Sequence, residues 1–261
     1  MSERVTAPKI RAMKGKQKIV CLTAYDQPSA AIADAAGVDL ILVGDSVGNV
    51  VLGYENTLPV SLDDMIHHTR AAAKGTKNAL LVADMPFGSY QASAEDAVRS
   101  GIALIKAGAE AVKLEGDYVD AIQALVKAGI PVMGHVGMTP QSVNVFGGFK
   151  VQGRGKQADA VLEAAKRIEA AGAFSIVLEM IPAVVADKIT RELSIPTIGI
   201  GAGPDCDGEV QVFHDIMGLH PGDPYKHTRR FLNAYEAMTL AAVEYAKAVR
   251  EGTFPTKDNS F

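Results

Sequence analysis

The chain is poor in cysteine: only Cys21 and Cys206 occur among its 261 residues. Their separation fits neither a metal-ligand nor a redox spacing, so both read as reduced structural thiols. Also missing is any apolar run approaching the ~20 residues that a membrane-spanning helix needs. Met1-Ser2-Glu3-Arg4 leads into no apolar signal core, and a cytoplasmic location is the expectation. Positive charge is not in excess either. Lys and Arg number 26 against 30 Asp and Glu, and a formal net charge of -4 leaves no footprint for nucleic acid and no polybasic membrane arm. The basic residues near the amino end (Lys9, Arg11, Lys14, Lys16, Lys18) interleave with apolar ones and read as a solvated segment. No low-complexity tract or long hydrophilic linker interrupts the sequence, and 48% of residues are hydrophobic. These features exclude global disorder and point to a single domain over residues 1–261.

What the chain does have is a regular alternation of strand and helix signals. Strands are expected over residues 18–23, 40–43, 79–83, 111–114, 131–135, 174–178 and 197–200. Helices are expected between them over 29–36, 61–74, 94–107, 118–128, 158–171 and 184–193, several stopped by a glycine such as Gly37, Gly108, Gly129 or Gly172. A continuous apolar run such as Leu40-Ile41-Leu42-Val43 suits a strand covered on both faces of a parallel sheet. The eighth strand is expected at 210–213 or near 229–232, and a last helix over 234–249. The fold class is therefore α/β, as a closed (β/α)8 TIM barrel or an open doubly wound sheet. Polar residues recur at the tips of strands two to six, which favours the barrel: a closed rim can use most of its strand ends, whereas an open sheet gathers its ligand groups at one crevice. Two connections, 47–59 and 137–155, are long and without clear period. Both leave strand carboxyl ends, where such loops cover sites.

Four of the apolar strands deliver a carboxylate at the tip: Asp45, Asp84, Glu115 and Glu179. Converging carboxylates repel one another unless a cation sits among them. Asp45, Asp84 and Glu115 together form an all-oxygen set suited to Mg2+ or Mn2+, although each alone could serve as a helix N-cap. Lys113 stands two residues before Glu115, so strand periodicity puts both on one face. It is either a charge partner for substrate or a nucleophile forming a Schiff base with a carbonyl. Glu179 is followed by Met180-Ile181-Pro182, and a carboxylate in apolar company can act as a general base. His135 closes strand five as a substrate donor or a satisfied core histidine. His67 and His68, side by side in a helix, lack ligand spacing and read as structural or interfacial. Gly199-Ile200-Gly201-Ala202-Gly203 lacks nucleotide-fingerprint spacing and reads as a close backbone approach at the rim.

Taken together, the motifs resemble the ketopantoate hydroxymethyltransferase family over nearly the whole chain. The resemblance rests on Leu22-Thr23-Ala24-Tyr25-Asp26, Gly44-Asp45-Ser46-Val47-Gly48, His67-His68-Thr69-Arg70, Asp84-Met85-Pro86-Phe87 and Lys113-Leu114-Glu115-Gly116. It continues through Gly134-His135-Val136-Gly137-Met138-Thr139-Pro140-Gln141, Gly147-Gly148-Phe149-Lys150-Val151-Gln152-Gly153-Arg154 and Phe254-Pro255, with Glu209 departing from an expected Gln. The resemblance implies a (β/α)8 barrel that transfers a hydroxymethyl group from 5,10-methylenetetrahydrofolate to 3-methyl-2-oxobutanoate. The product is 2-dehydropantoate, for pantothenate biosynthesis, formed through a Mg2+-stabilised enolate. It further implies metal placement by Asp45, Asp84 and Glu115, keto-acid binding by Asp45, Ser46, Asp84 and Lys113, proton abstraction by Glu179, and assembly as a homodecamer. His135 joins the substrate-binding candidates. Two other readings stay beside it: a Mg2+-dependent lyase or mutase acting on another 2-oxo acid without folate, and a catalytically silent scaffold.

Overall fold

The computed structural model describes residues 4–261; residues 1–3, where no signal core is expected, lie outside the described residues. Eight parallel strands close into a barrel in chain order. They are β1 Ile19–Thr23, β2 Leu40–Val43, β3 Leu80–Asp84, β4 Ala111–Lys113, β5 Val132–Gly137, β6 Ser175–Glu179, β7 Thr197–Ile200 and β8 Gly208–Gln211. The (β/α)8 expectation holds. Apart from Val20, the first four strands are buried residue by residue, as expected for runs covered by the barrel core inside and helices outside. The helices start and stop where local chemistry dictates. Ser61 caps Leu62–Gly75 in a reciprocal box with Asp64, and left-handed Gly108 ends Ala94–Ala107.

The described chain divides into two compact units, one ending at Phe213 and one running from His214 to Phe261. The barrel belongs to the first. The second contains the long helix Ala234–Arg250, in which Ala234 is the buried residue and Tyr235, Met238, Leu240, Val243 and Tyr245 are exposed. Among the described residues no helix is long and apolar enough to cross a membrane.

Two expectations need correction. The eighth strand is Gly208–Gln211, overlapping the first proposed position by Val210 and Gln211 and missing the second entirely. β8 lies so close to β1 that a side chain at Gly208 would run into the Ile19 carbonyl, while the Phe213 N–H leaves the sheet for the Thr23 hydroxyl at 2.9 Å. The basic amino-terminal segment is not simply solvated. Ala7–Ala12 is a helix whose Ala7 and Ile10 are buried against Ile19, Leu40, Leu80 and Ala111, the opening residues of β1 to β4. Burying Ile10 alone is worth about 1.5–3 kcal/mol. Lys14 then reaches Asp207 at 2.8 Å, tying the segment beneath the barrel.

Candidate active site

The barrel topology carries Asp45, Asp84, Glu115 and Glu179 to one rim. Asp84 is the last residue of β3 and stands opposite Lys113 of β4 in register, so their side chains meet and pair. The second oxygen of Asp84 accepts the Asp45 N–H at 3.0 Å. Lys113 Nζ is also 3.9 Å from Glu115 Oε1, which bears out the one-face reading of this pair. His135 of β5 lies between two acids, with Nδ1 3.6 Å from Glu115 and Nε2 3.4 Å from Glu179. Ser46 Oγ and Asp84 Oδ2 both border the space that a side chain at Gly44 would occupy. Every candidate named from the sequence is thus brought to this rim. None of the four strand-tip carboxylates caps a helix, and Ser46, which does precede one, makes no cap hydrogen bond; its hydroxyl pairs with Tyr25 Oη at 2.7 Å.

Burial is nearly complete. Asp45, Asp84, Lys113, Glu115 and His135 are all buried, and the Glu179 side chain keeps 19% of its surface exposed. Among the described residues Lys113 is the one cation that bears on all four carboxyl groups. Burial first, and the charge of Asp84 second, push the Asp45 carboxyl up to about 6. Burial likewise raises Glu115 well above the carboxylate range, with Asp45 adding to it, and lifts Glu179 to about 8. Burial, reinforced by Lys113, holds His135 well below its ordinary range, so its contacts with Glu115 and Glu179 are those of a neutral ring rather than ion pairs. For Lys113 burial opposes the charge, yet Asp84, Glu115 and Asp45 outweigh it and keep the ammonium protonated above its usual range.

That last balance separates the two roles read for Lys113. A Schiff base needs a free amine, obtained by lowering the lysine pKa; this pocket does the reverse. Borohydride reduction in the presence of a 2-oxo acid is expected to leave the intact mass unchanged, and an adduct of substrate mass on Lys113 would overturn the charge-partner role.

Among the described residues no group of three or more His, Cys, Asp or Glu side chains is arranged to hold a metal ion by itself. Asp45, Asp84 and Glu115, expected to place the metal directly or through water, are nevertheless brought into one buried cluster. One oxygen of Asp84 is engaged by Lys113 and one oxygen of Glu115 accepts the Gln141 N–H at 2.9 Å. The cluster still fits a divalent cation: several buried carboxyl groups face a single ammonium, and burial, with their mutual repulsion added, disfavours their ionised forms until a positive charge joins them.

Sequence reading missed the supports around these groups. His68 Nδ1 donates to the Tyr25 carbonyl at 2.6 Å, which agrees with its structural reading and steadies the partner of Ser46. Tyr90 and Gln141 are buried in the loops after β3 and β5, and no local signal marks them. The long connections are partly helical, at Val47–Val50, Pro140–Ser142 and Val143–Phe146, in turns too short to show a period. Gly203 approaches Ala183 of the neighbouring helix rather than the open rim. Cys21 and Cys206 are free and buried, as read.

The sequence profile of ketopantoate hydroxymethyltransferase matches residues 4–257. A 3-methyl-2-oxobutanoate hydroxymethyltransferase of Thermotoga sp. (strain RQ2) is 52% identical over 256 residues, covering 97% of this chain and 95% of that protein. Its counterpart in Syntrophus aciditrophicus (strain SB) is 52% identical over 263 residues, with coverages of 99% and 97%. Among solved structures, phosphonopyruvate hydrolase in complex with oxalate and Mg++ is similar, with a TM-score of 0.61, 15% identity and coverages of 98% and 93%. At that identity the likeness concerns the fold.

Proposed function

The chain belongs to the ketopantoate hydroxymethyltransferase family, and from that premise we propose how its buried acid cluster performs the reaction. The activity is that of a 3-methyl-2-oxobutanoate hydroxymethyltransferase, adding a hydroxymethyl group to this 2-oxo acid to give 2-dehydropantoate for the pantothenate pathway. The methylene donor is 5,10-methylenetetrahydrofolate, with water completing the hydroxymethyl group. Asp45, Asp84 and Glu115 would hold Mg2+. When bound, the ion supplies a positive site for the keto and carboxylate oxygens of the substrate and for charge developing on them.

The chain's own residues do the rest. Lys113 offers its ammonium to the substrate carboxylate, and Ser46, held by Tyr25, donates to a substrate oxygen. Neutral His135 donates from one ring nitrogen while the other stays an acceptor. Glu179 takes the proton from C3, and the carbon so freed attacks the methylene carbon of the folate, breaking its bond to one folate nitrogen. Water then replaces the second nitrogen, leaving the hydroxymethyl group on C3 and releasing protonated tetrahydrofolate. The long loops after β2 and β5 limit water access to the freed carbon. The observation that carries this reading is geometric: Glu179 ends β6 3.4 Å from His135 and keeps 19% of its side chain exposed, whereas Asp84 and Glu115 are closed around Lys113; an accessible carboxyl beside a buried acid cluster suits base and binding roles. It is tested by NMR of 3-methyl-2-oxobutanoate in D2O with enzyme and Mg2+, with and without tetrahydrofolate and formaldehyde. Exchange of the C3 hydrogen without folate, and product only with it, is expected. Product without folate would favour the lyase or mutase reading, which the 52% identity to transferases already disfavours.

The protein works in the cytoplasm as a homodecamer. Support comes from the family and from the helix Ala234–Arg250, whose Met238, Leu240 and Tyr245 are each at least 60% exposed and call for an apolar partner. Light scattering is expected to give a mass about ten times 27.5 kDa. A species of 27.5 kDa at micromolar concentration would refute assembly.

A further inference from the structure

Resting on the metal reading above, we infer that Gln141 is the positioning residue of the cation site, orienting Asp45 and Glu115 together through an amide whose direction is locked. Gln141 sits in the short turn Pro140–Ser142 after β5 and is buried. Its Nε2 donates to Asp45 Oδ2 at 2.9 Å and to the Met85 carbonyl at 3.0 Å. Its Oε1 faces Tyr90 Oη at 2.7 Å and accepts from Gln91 Nε2 at 3.0 Å. Its main-chain N–H donates to Glu115 Oε2 at 2.9 Å. One residue therefore joins the rim loops after β2, β3, β4 and β5.

The direction of the amide follows from its neighbours. Asp45 and Met85 present acceptors only, so they require the NH2 end. At the other end Gln91 must present its own NH2, because its Oε1 is taken by the Gly88 N–H at 2.7 Å. Tyr90 accepts the Glu115 N–H at 3.1 Å, and its single proton goes to Gln141 Oε1 at 2.7 Å in preference to the more distant Glu115 carbonyl at 3.1 Å. A flipped amide would aim an oxygen at a carboxylate and a carbonyl in a buried site. Such a fully satisfied amide holds its partner to one orientation, as outer partners of metal ligands do.

The test uses Mn2+ as a spectroscopic substitute for Mg2+, titrated into the full chain and followed by electron paramagnetic resonance. Gln141→Leu, checked for folding by circular dichroism, is expected to weaken Mn2+ binding ~10–100-fold, the loss typical of an outer-shell partner. Tyr90→Phe should weaken it less, because the Gln91 contact persists. The double variant should bind no more weakly than Gln141→Leu, since Tyr90 acts through the same amide. A purely structural residue would lower the melting temperature without moving Mn2+ affinity in the folded range. Binding by Gln141→Leu within about twofold of wild type, or losses that multiply in the double variant, would overturn the inference. If Gln141→Leu does not fold, unchanged affinity in Tyr90→Phe overturns it and a loss supports it. Wild-type protein that binds no Mn2+ would remove the metal reading itself, and this inference with it.

Discussion

Glu179→Gln is expected to retain Mg2+ and keto-acid binding while losing exchange of the C3 hydrogen in D2O by ~10²–10⁴-fold, the range for removing a general base. The substitution keeps shape and removes only the ability to take a proton. The backbone holding Glu179 is unusually constrained, so the side chain is not easily replaced by a wandering neighbour. Gly137, opposite Glu179 in register, adopts φ 101, and a side chain there would strike the Glu179 carbonyl. That carbonyl accepts the Met138 N–H at 2.8 Å, and the next residue, Met180, takes the left-handed φ of 45 rarely used by non-glycine residues. In the wild type the exchange rate should rise with pH, because only the ionised carboxylate accepts a proton. The inflection should lie at or below about 8, since a bound cation favours the ionised form. If exchange persists in the variant, the base lies elsewhere, and His135 at 3.4 Å is the next group to substitute. If binding fails as well, Glu179 belongs to the metal or substrate contacts.

Chelation should abolish transfer, with Mg2+ restoring it, and Asp45→Asn should weaken cation binding by at least ~10²-fold, more than the loss of an outer-shell partner costs. Asp45 is a cleaner probe than Asp84. Removing the Asp84 charge leaves Lys113 buried beside Glu115 at 3.9 Å, and breaking a buried pair costs about 3–5 kcal/mol on its own. The cation should also be visible without turnover. Folding raises the carboxyls of Asp45 to about 6 and Glu179 to about 8, so the folded metal-free chain holds protons that the unfolded chain releases. Its stability is full below the ordinary carboxylate range and falls as pH rises through those values. A divalent cation replaces the protons. The increase in melting temperature on adding Mg2+ should therefore be small near about pH 5 and grow toward about pH 8. An increment that is flat or shrinks over that window, or full activity in metal-free buffer, would sink the metal site.

What the sequence determined by itself is what short-range pattern can carry. Apolar runs ending in Asp45, Asp84, Glu115 and Glu179 mark strands with acidic tips, and a period of two puts Lys113 and Glu115 on one face. Strand tips in a closed parallel barrel converge, so the candidate acids are legible in the sequence alone. Only the tertiary structure decided how those groups are engaged. Lys113 pairs with Asp84 because β3 and β4 lie in a particular register, and Gln141 reaches Asp45 across 96 residues of chain. Neither relation leaves a trace in local composition. The same holds for Ile10, whose basic neighbours suggest solvent until the barrel supplies an apolar floor for it, and for β8, a strand too polar to announce itself without β1 and β7 beside it. Pattern reports which face of an element is apolar or charged; pairing between distant elements sets pKa, hydrogen-bond direction and the choice among carboxylates, because those depend on distances that the order of residues does not contain.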